Sequence, residues 1–257
     1  MSQNIRKALG QEQPYYDICR EERNICAVFY HLLLQDGNID RFLQAVGTTL
    51  VSDSRAEVYV EYSYLRDVWK AASDEEQKRH FLLDVLAYPA NNELRDASFE
   101  TFNSYFGATP KASLNFIQSP ATWSMGRYDQ NVEDDKTFMA ISNLKWSFNA
   151  KPDIVIALPD DKAICIEAKF KSSEGRYPSL GNERTIFKRR GLSLVNQTET
   201  QKMIFDLLGI EAQFFYLVEK PRKNAEAHVL SWRQVFAAMD MNGVSPFVRE
   251  WVSQFAS

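Results

Sequence analysis

The stretch Lys151–Phe170, KPDIVIALPDDKAICIEAKF, decides how this chain is read. Two apolar runs, DIVIAL and AICIEAKF, flank Pro159-Asp160-Asp161-Lys162, a turn sequence of hairpin composition. Side chains alternate between the faces of a strand, so Glu167 and Lys169 project to one side. If the turn pairs Leu158 with Ala163, Asp153 falls opposite Ala168. A one-residue bulge would instead set it opposite Glu167. Either register gathers two carboxylates and an ammonium at one end of an otherwise apolar hairpin. Charges withdrawn from water need a partner or a metal, so a plain core is a costly explanation.

Those residue types suit one chemistry. Phosphodiester hydrolysis requires a water made nucleophilic at neutral pH and a developing negative charge to be offset. A hard cation such as Mg²⁺, or Mn²⁺, does both and takes oxygen ligands. Asp153 and Glu167 supply carboxylates, and the carbonyl of Ala168 can supply a third oxygen. Lys169 can orient or deprotonate the water or offset charge, and a pKa lowered by its surroundings is expected. The competing explanation is a surface cross-strand ion pair, because D-x(13)-E-x-K alone is a common spacing.

Outward from the hairpin, residues 15–35 read as a helix, with Asp17 as N-cap and Ile25, Phe29, Leu32 and Leu33 as its apolar stripe. Glu22 lies on the edge of that stripe, either a solvated acid near the helix start or a member of the site. Residues 38–120 read as a largely helical block: a helix to Gly47, a stretch over 58–69 that fits both a period of two (Val58, Val60, Tyr62, Tyr64) and a helical stripe (Val58, Tyr62, Leu65, Trp69) and leans to helix because it continues into WKAA, a capping box at Ser73 and Glu76, a helix near 97–106 closed by Gly107, and a short one over 111–118. Residues 121–136 read as a loop in which Arg127 and Tyr128 can meet a phosphate and a base. Residues 137–149 read as a helix and then a first strand. On the far side of the hairpin, 171–193 reads as a long connection carrying Lys171, Arg176, Arg184, Lys188, Arg189 and Arg190, cations placed to contact phosphates. A helix follows, in which Gln197 and Gln201 share one face before Gly209. Strands at 212–220 and 225–232, a helix from Trp232 and a final helix over 245–256 complete the chain.

Pro152-Asp153 followed by Glu167-Ala168-Lys169 after a short hairpin resembles the PD-(D/E)xK nuclease superfamily, the restriction-endonuclease-like fold. The resemblance covers 15–35 and 137–230. It implies an α/β fold with a mixed sheet of about four strands in the order αβββαβ, flanked by helices. The chain is then one domain, with its core at 15–35 and 137–240 and a helical insertion at about 38–120. By resemblance Glu22 joins Asp153, Glu167 and Ala168 at the metal, and Gln197 or Gln201 assists catalysis. The implied activity is Mg²⁺-dependent hydrolysis of DNA by an endonuclease, in restriction, defence or repair, with RNA as an open alternative substrate. A second reading is a non-cleaving nucleic-acid-binding or assembly subunit of the same fold.

Composition sets the outer bounds. The 257 residues are 45% hydrophobic and 13% aromatic, enough to bury a core. The net charge of -4 argues against a protein that holds nucleic acid by charge alone. Three cysteines, Cys19, Cys26 and Cys165, have neither metal nor disulfide spacing. With no signal segment and no membrane span read in the sequence, a cytoplasmic protein is expected, with a homodimer or a partner subunit as its possible assemblies.

Overall fold

The computed structural model describes residues 22–48, 56–108, 115–169, 175–219 and 228–256. In chain order its elements are α1 (Glu22–Leu33), α2 (Asn38–Val46), β1 (Glu57–Val60), α3 (Tyr64–Ala71), α4 (Glu75–Val85), α5 (Phe99–Tyr105), a 3-10 turn (Pro120–Thr122), α6 (Met125–Asn131), α7 (Asp135–Ser147), β2 (Ile154–Leu158), β3 (Lys162–Lys169), β4 (Arg176–Tyr177), α8 (Gly181–Arg190), β5 (Val195–Asn196), α9 (Gln197–Leu208), β6 (Glu211–Val218), β7 (His228–Ser231), α10 (Trp232–Ala238) and α11 (Pro246–Ala256). The fold is mixed α/β. Five strands form one sheet in the order β1-β2-β3-β6-β7. The first three are antiparallel, and β6 and β7 run parallel to β3. No helix of the described residues is long and apolar enough to cross a membrane.

The central strands are almost wholly apolar because both their faces are covered. On one face, Ile154, Ile156, Ile164, Ile166 and Ala168 pack against Ile25, Cys26 and Phe29 of α1, Phe42 of α2, and Trp232 and Phe236 of α10. Val155, Ala163 and Cys165 point the other way, onto Phe205 of α9 and Tyr62. A second cluster joins the helical block to α7, α8 and α9 through Phe102, Phe106, Tyr128, Phe138, Phe187 and Ile204.

The hairpin forms with Leu158 paired to Lys162, so its turn is Pro159-Asp160-Asp161, one residue shorter than the four-residue reading. Asp160 and Asp161 both have positive φ, a conformation that Asp tolerates better than most residues. Extending this register sets Asp153 opposite Glu167, the arrangement expected only for a bulge.

Several local expectations change. Residues 57–60 are a strand, not part of a helix, because the period-two run Glu57–Val60 finds a partner in β2. Glu61, with φ 49°, ends that strand, and the helix begins only at Tyr64. This strand fills the place expected for a first strand in 137–149. That segment is helical to Ser147, its start fixed by the Asp134 carboxylate accepting the Thr137 N–H. Because β1 and α2 belong with the sheet, the helices set apart from it begin at Tyr64 rather than at residue 38. The cap of α4 is Asp74, one residue after Ser73, and it accepts the Gln77 N–H. Residues 115–118 carry no helix, and the remainder of the expected 111–118 helix lies outside the described residues, as does Asp17. The expected loop 121–136 holds α6 and the start of α7, and Tyr128 is a fully buried core residue bonded to Ser142. The expected loop 171–193 holds β4 and α8.

Phe29 is fully buried and makes edge contacts with Phe42, Trp232 and Phe236. Phe29→Ala should therefore cost roughly 3–5 kcal/mol of stability, read as a lower urea midpoint at unchanged slope.

Candidate active site

Asp153 stands just before β2, and its main chain is fixed from the neighbouring strand. Glu61 N–H donates to the Asp153 carbonyl and Tyr62 N–H to the Pro152 carbonyl, each at 2.9 Å. Tyr62 in turn stacks on Phe205 with centroids 5.8 Å apart and rings 4° from parallel. The side chain is half-buried, and its Oδ2 accepts the Ala168 N–H at 2.9 Å. Asp153 is thereby bound to the β3 backbone between Glu167 and Lys169.

Glu167 is only 4% exposed, so the surface ion-pair explanation of the motif does not describe it. Its Oε1 accepts from Lys169 Nζ at 2.6 Å and from Gln197 Nε2 at 2.7 Å, and its Oε2 accepts from Gln201 Nε2 at 2.5 Å. Both glutamines therefore face the site, which answers the choice that the sequence left open. The spacing of α9 explains why: positions 197 and 201 lie one turn apart on its buried side. Lys169 Nζ also lies 3.9 Å from Glu22 Oε2, which brings α1 to the same corner.

Each glutamine amide is itself oriented. Gln197 Oε1 accepts the Gly175 N–H at 3.3 Å, while the Gln197 N–H donates to the Gly175 carbonyl at 3.0 Å. A Cβ on residue 175 would lie 2.8 Å from Gln197 Oε1, so the close approach depends on glycine. Gln201 Oε1 accepts from the buried Cys165 thiol at 3.8 Å. Gly175 and Cys165 escaped the sequence reading. Strand alternation offered a signal for Cys165, two positions before Glu167, whereas no local pattern marked Gly175.

Electrostatics follow from the geometry. Burial, then the Glu167 carboxylate, push the Asp153 carboxyl up to about 7, against the opposing effects of the Ala168 N–H and Lys169. Lys169 departs from expectation. Burial alone would lower its pKa, but the charges of Glu167, Glu22 and Asp153 and the hydrogen bond to Glu167 outweigh burial and raise it. The ammonium is therefore held charged. Tyr177, whose ring stacks on Trp146, is raised by burial and then by Glu167.

The donor set suits a hard cation in part. Glu167 keeps about one lone-pair direction beyond its three donors, and Asp153 keeps Oδ1. With Glu22 they give three carboxylates against one ammonium, a deficit a divalent ion would offset. Among the described residues, no group of three or more His, Cys, Asp or Glu is gathered tightly enough to hold a metal by side chains alone. Water and the Ala168 carbonyl would complete the coordination, as is usual for Mg²⁺.

The remaining cations are dispersed. Arg176 is exposed on β4, opposite Asn196. Lys188 is exposed on α8, and Arg127 is exposed on α6. Arg189 pairs with Asp129. Arg190 lies over Phe138 and bonds to Asp129, Asp135 and the main chain at 129, 132 and 133, so it ties α8 to the helical block. Lys171 lies outside the described residues. A concavity of about 560 Å³, lined in part by Leu94, Thr101, Tyr105 and Asn131, belongs to the helical block, and none of the site carboxylates lines it.

No protein-family model, curated protein sequence or solved structure matches this chain.

Two outcomes are expected. The Asp153 carboxyl binds its proton more tightly folded than unfolded, so its contribution to stability is full below about pH 4 and is lost as pH rises to about 7. Thermal melts should show Asp153→Asn gaining on wild type across that window and remaining the more stable protein at pH 8. Gly175→Ala should push the Gln197 amide off Glu167, visible as an altered Gln197 side-chain amide resonance in NMR spectra that otherwise keep the native dispersion.

Proposed function

We propose that this chain is a metal-dependent nuclease that hydrolyses DNA phosphodiester bonds, built on a restriction-endonuclease-like core of the PD-(D/E)xK type. The observation that carries this reading is the buried Glu167 carboxylate, fixed by Lys169, Gln197 and Gln201 and set across the hairpin from Asp153. Element order supports it: a helix carrying Glu22, three antiparallel strands, a helix carrying both glutamines, then a strand parallel to the third.

In this reading Asp153, Glu167 and the Ala168 carbonyl would hold Mg²⁺ or Mn²⁺, and Glu22, which reaches Lys169, would add a further carboxylate. The bound cation supplies an activated water and neutralises charge on the phosphate. Lys169, kept protonated by its carboxylate neighbours, orients that water or stabilises the developing oxyanion rather than acting as a base. Gln197 and Gln201 hold the Glu167 carboxylate in one rotamer, so the ligand geometry is set before substrate arrives. The roles of restriction, defence and repair share this chemistry, and RNA is the alternative polymer.

The test is cleavage of plasmid, single-stranded DNA and RNA in Mg²⁺ or Mn²⁺. Wild type should cut at least one of them, and Glu167→Ala and Lys169→Ala should each lose roughly 10²–10⁴-fold in rate. Absence of cleavage on every substrate overturns the proposal, and undiminished cleavage by Glu167→Ala moves the reaction elsewhere on the molecule.

A further inference from the structure

Beside the carboxylate cluster lies a second charged group that the nuclease motif does not include. Glu61 ends β1 in the left-handed region, at φ 49°, an unusual conformation for a residue with a side chain. Its neighbours hold it there. Its own N–H is bonded to the Asp153 carbonyl, the next N–H to the Pro152 carbonyl, and the Tyr62 ring is packed on Phe205. Glu61 is therefore joined to Asp153 by one main-chain hydrogen bond, and its carboxylate is half-buried. Its two oxygens each take a different cation: Oε1 takes Arg23 Nε at 3.0 Å and Oε2 takes Lys151 Nζ at 3.4 Å. Arg23 is the residue after Glu22 on α1, and Lys151 lies two residues before Asp153. Two segments that carry site residues thus each set a cation on Glu61. The Arg23 side chain is 77% exposed and that of Lys151 39% exposed.

As a stabilising device this arrangement is poor. Exposed ion pairs contribute about 0–1 kcal/mol, and positive φ at Glu61 works against them. As an anion subsite it answers a need. Asp153, Glu167 and Glu22 act together on Lys169, and Glu61 adds a fourth carboxylate bonded through its main chain to Asp153, so a polyanion binding here needs further cations. Arg23 meets Glu61 through Nε, and its guanidinium is a planar fork of the kind that fits a phosphate. Arg189 and Arg190, the most basic run of the chain, are spent on Asp129 and Asp135 and offer less to a substrate.

We infer that Arg23 and Lys151, posted on Glu61 at the end of β1, form a phosphate-binding subsite that holds the backbone of a nucleic-acid strand next to the Asp153–Glu167 centre. This inference rests on the nuclease reading. The strand would exchange its phosphate oxygens for the Glu61 carboxylate, so the subsite is kept partly occupied until substrate displaces its internal anion.

The experiment is fluorescence anisotropy with fluorescein-labelled single-stranded and duplex oligonucleotides in Ca²⁺, repeated over a range of salt concentrations. The proteins compared are wild type, Arg23→Ala/Lys151→Ala, Glu61→Gln, and a control with two remote lysines removed, Lys162→Ala/Lys70→Ala. The expected result is roughly tenfold weaker binding by the Arg23/Lys151 double variant. Its log–log salt slope on duplex should fall by about 2, one phosphate contact per lost cation. Glu61→Gln should bind at least as tightly as wild type, and the remote pair should change the slope less. Equal melting temperatures for wild type and double variant would separate lost binding from lost fold. Binding by wild type with an unchanged slope in the double variant overturns the subsite and leaves the nuclease reading standing. No binding of any oligonucleotide by wild type overturns both.

Discussion

A carboxylate at 4% exposure is expensive to bury, and three donors aimed at its two oxygens are what make Glu167 tolerable where it stands. Removing such a charge from water costs several kcal/mol unless partners restore its hydrogen bonds. Much of the local architecture can be understood as meeting that demand. Strand β3 supplies Lys169 two residues on, along the same face. Helix α9 begins where its first two turns present amides to the sheet. The Asn196–Glu199 capping box fixes that beginning, so the Gln197 side chain starts from a defined place. Gly175 lets the chain pass close enough to lock one amide, and Cys165 braces the other.

The two acids differ in how their oxygens are met. Glu167 takes three side-chain donors, while Asp153 has one main-chain N–H, and burial, then the Glu167 charge, raise the pKa of the Asp153 carboxyl above its ordinary value. Away from this corner the molecule uses charge differently. Lys145 and Glu183 form a buried pair at 2.6 Å between α7 and α8, and Arg190 bridges α8 to the start of α7. These contacts join the helical block to the segment that leads into β5 and Gln197.

The hairpin, both of its carboxylates and the glutamine helix were legible in the sequence because each rests on short-range signals: alternation, a turn, an amphipathic stripe and a terminal glycine. What could not be read was long-range. Glu57–Val60 satisfies both periods on paper, and only pairing with β2, almost a hundred residues away, makes it a strand. The loop reading of 121–136 followed its polar composition, yet Met125 and Tyr128 are core residues one turn apart. The basic run Lys188–Arg190 suggested phosphate contact, but acids from a distant helix neutralise two of its three members. The sign of the Lys169 shift is set not by burial, which lowers it, but by Glu167, Glu22 and Asp153, and the last two reach it from other elements.

Because Gln197 is the first residue of α9, the clamp on Glu167 hangs from a helix terminus, the part of any helix that opens most readily. Unwinding a single turn would take Gln197 off both Glu167 Oε1 and Gly175, leaving Lys169 on that oxygen and the sheet beneath intact. Amide hydrogen exchange would report it at Gln197, whose N–H is held by Gly175, separately from the slow exchange of the strands.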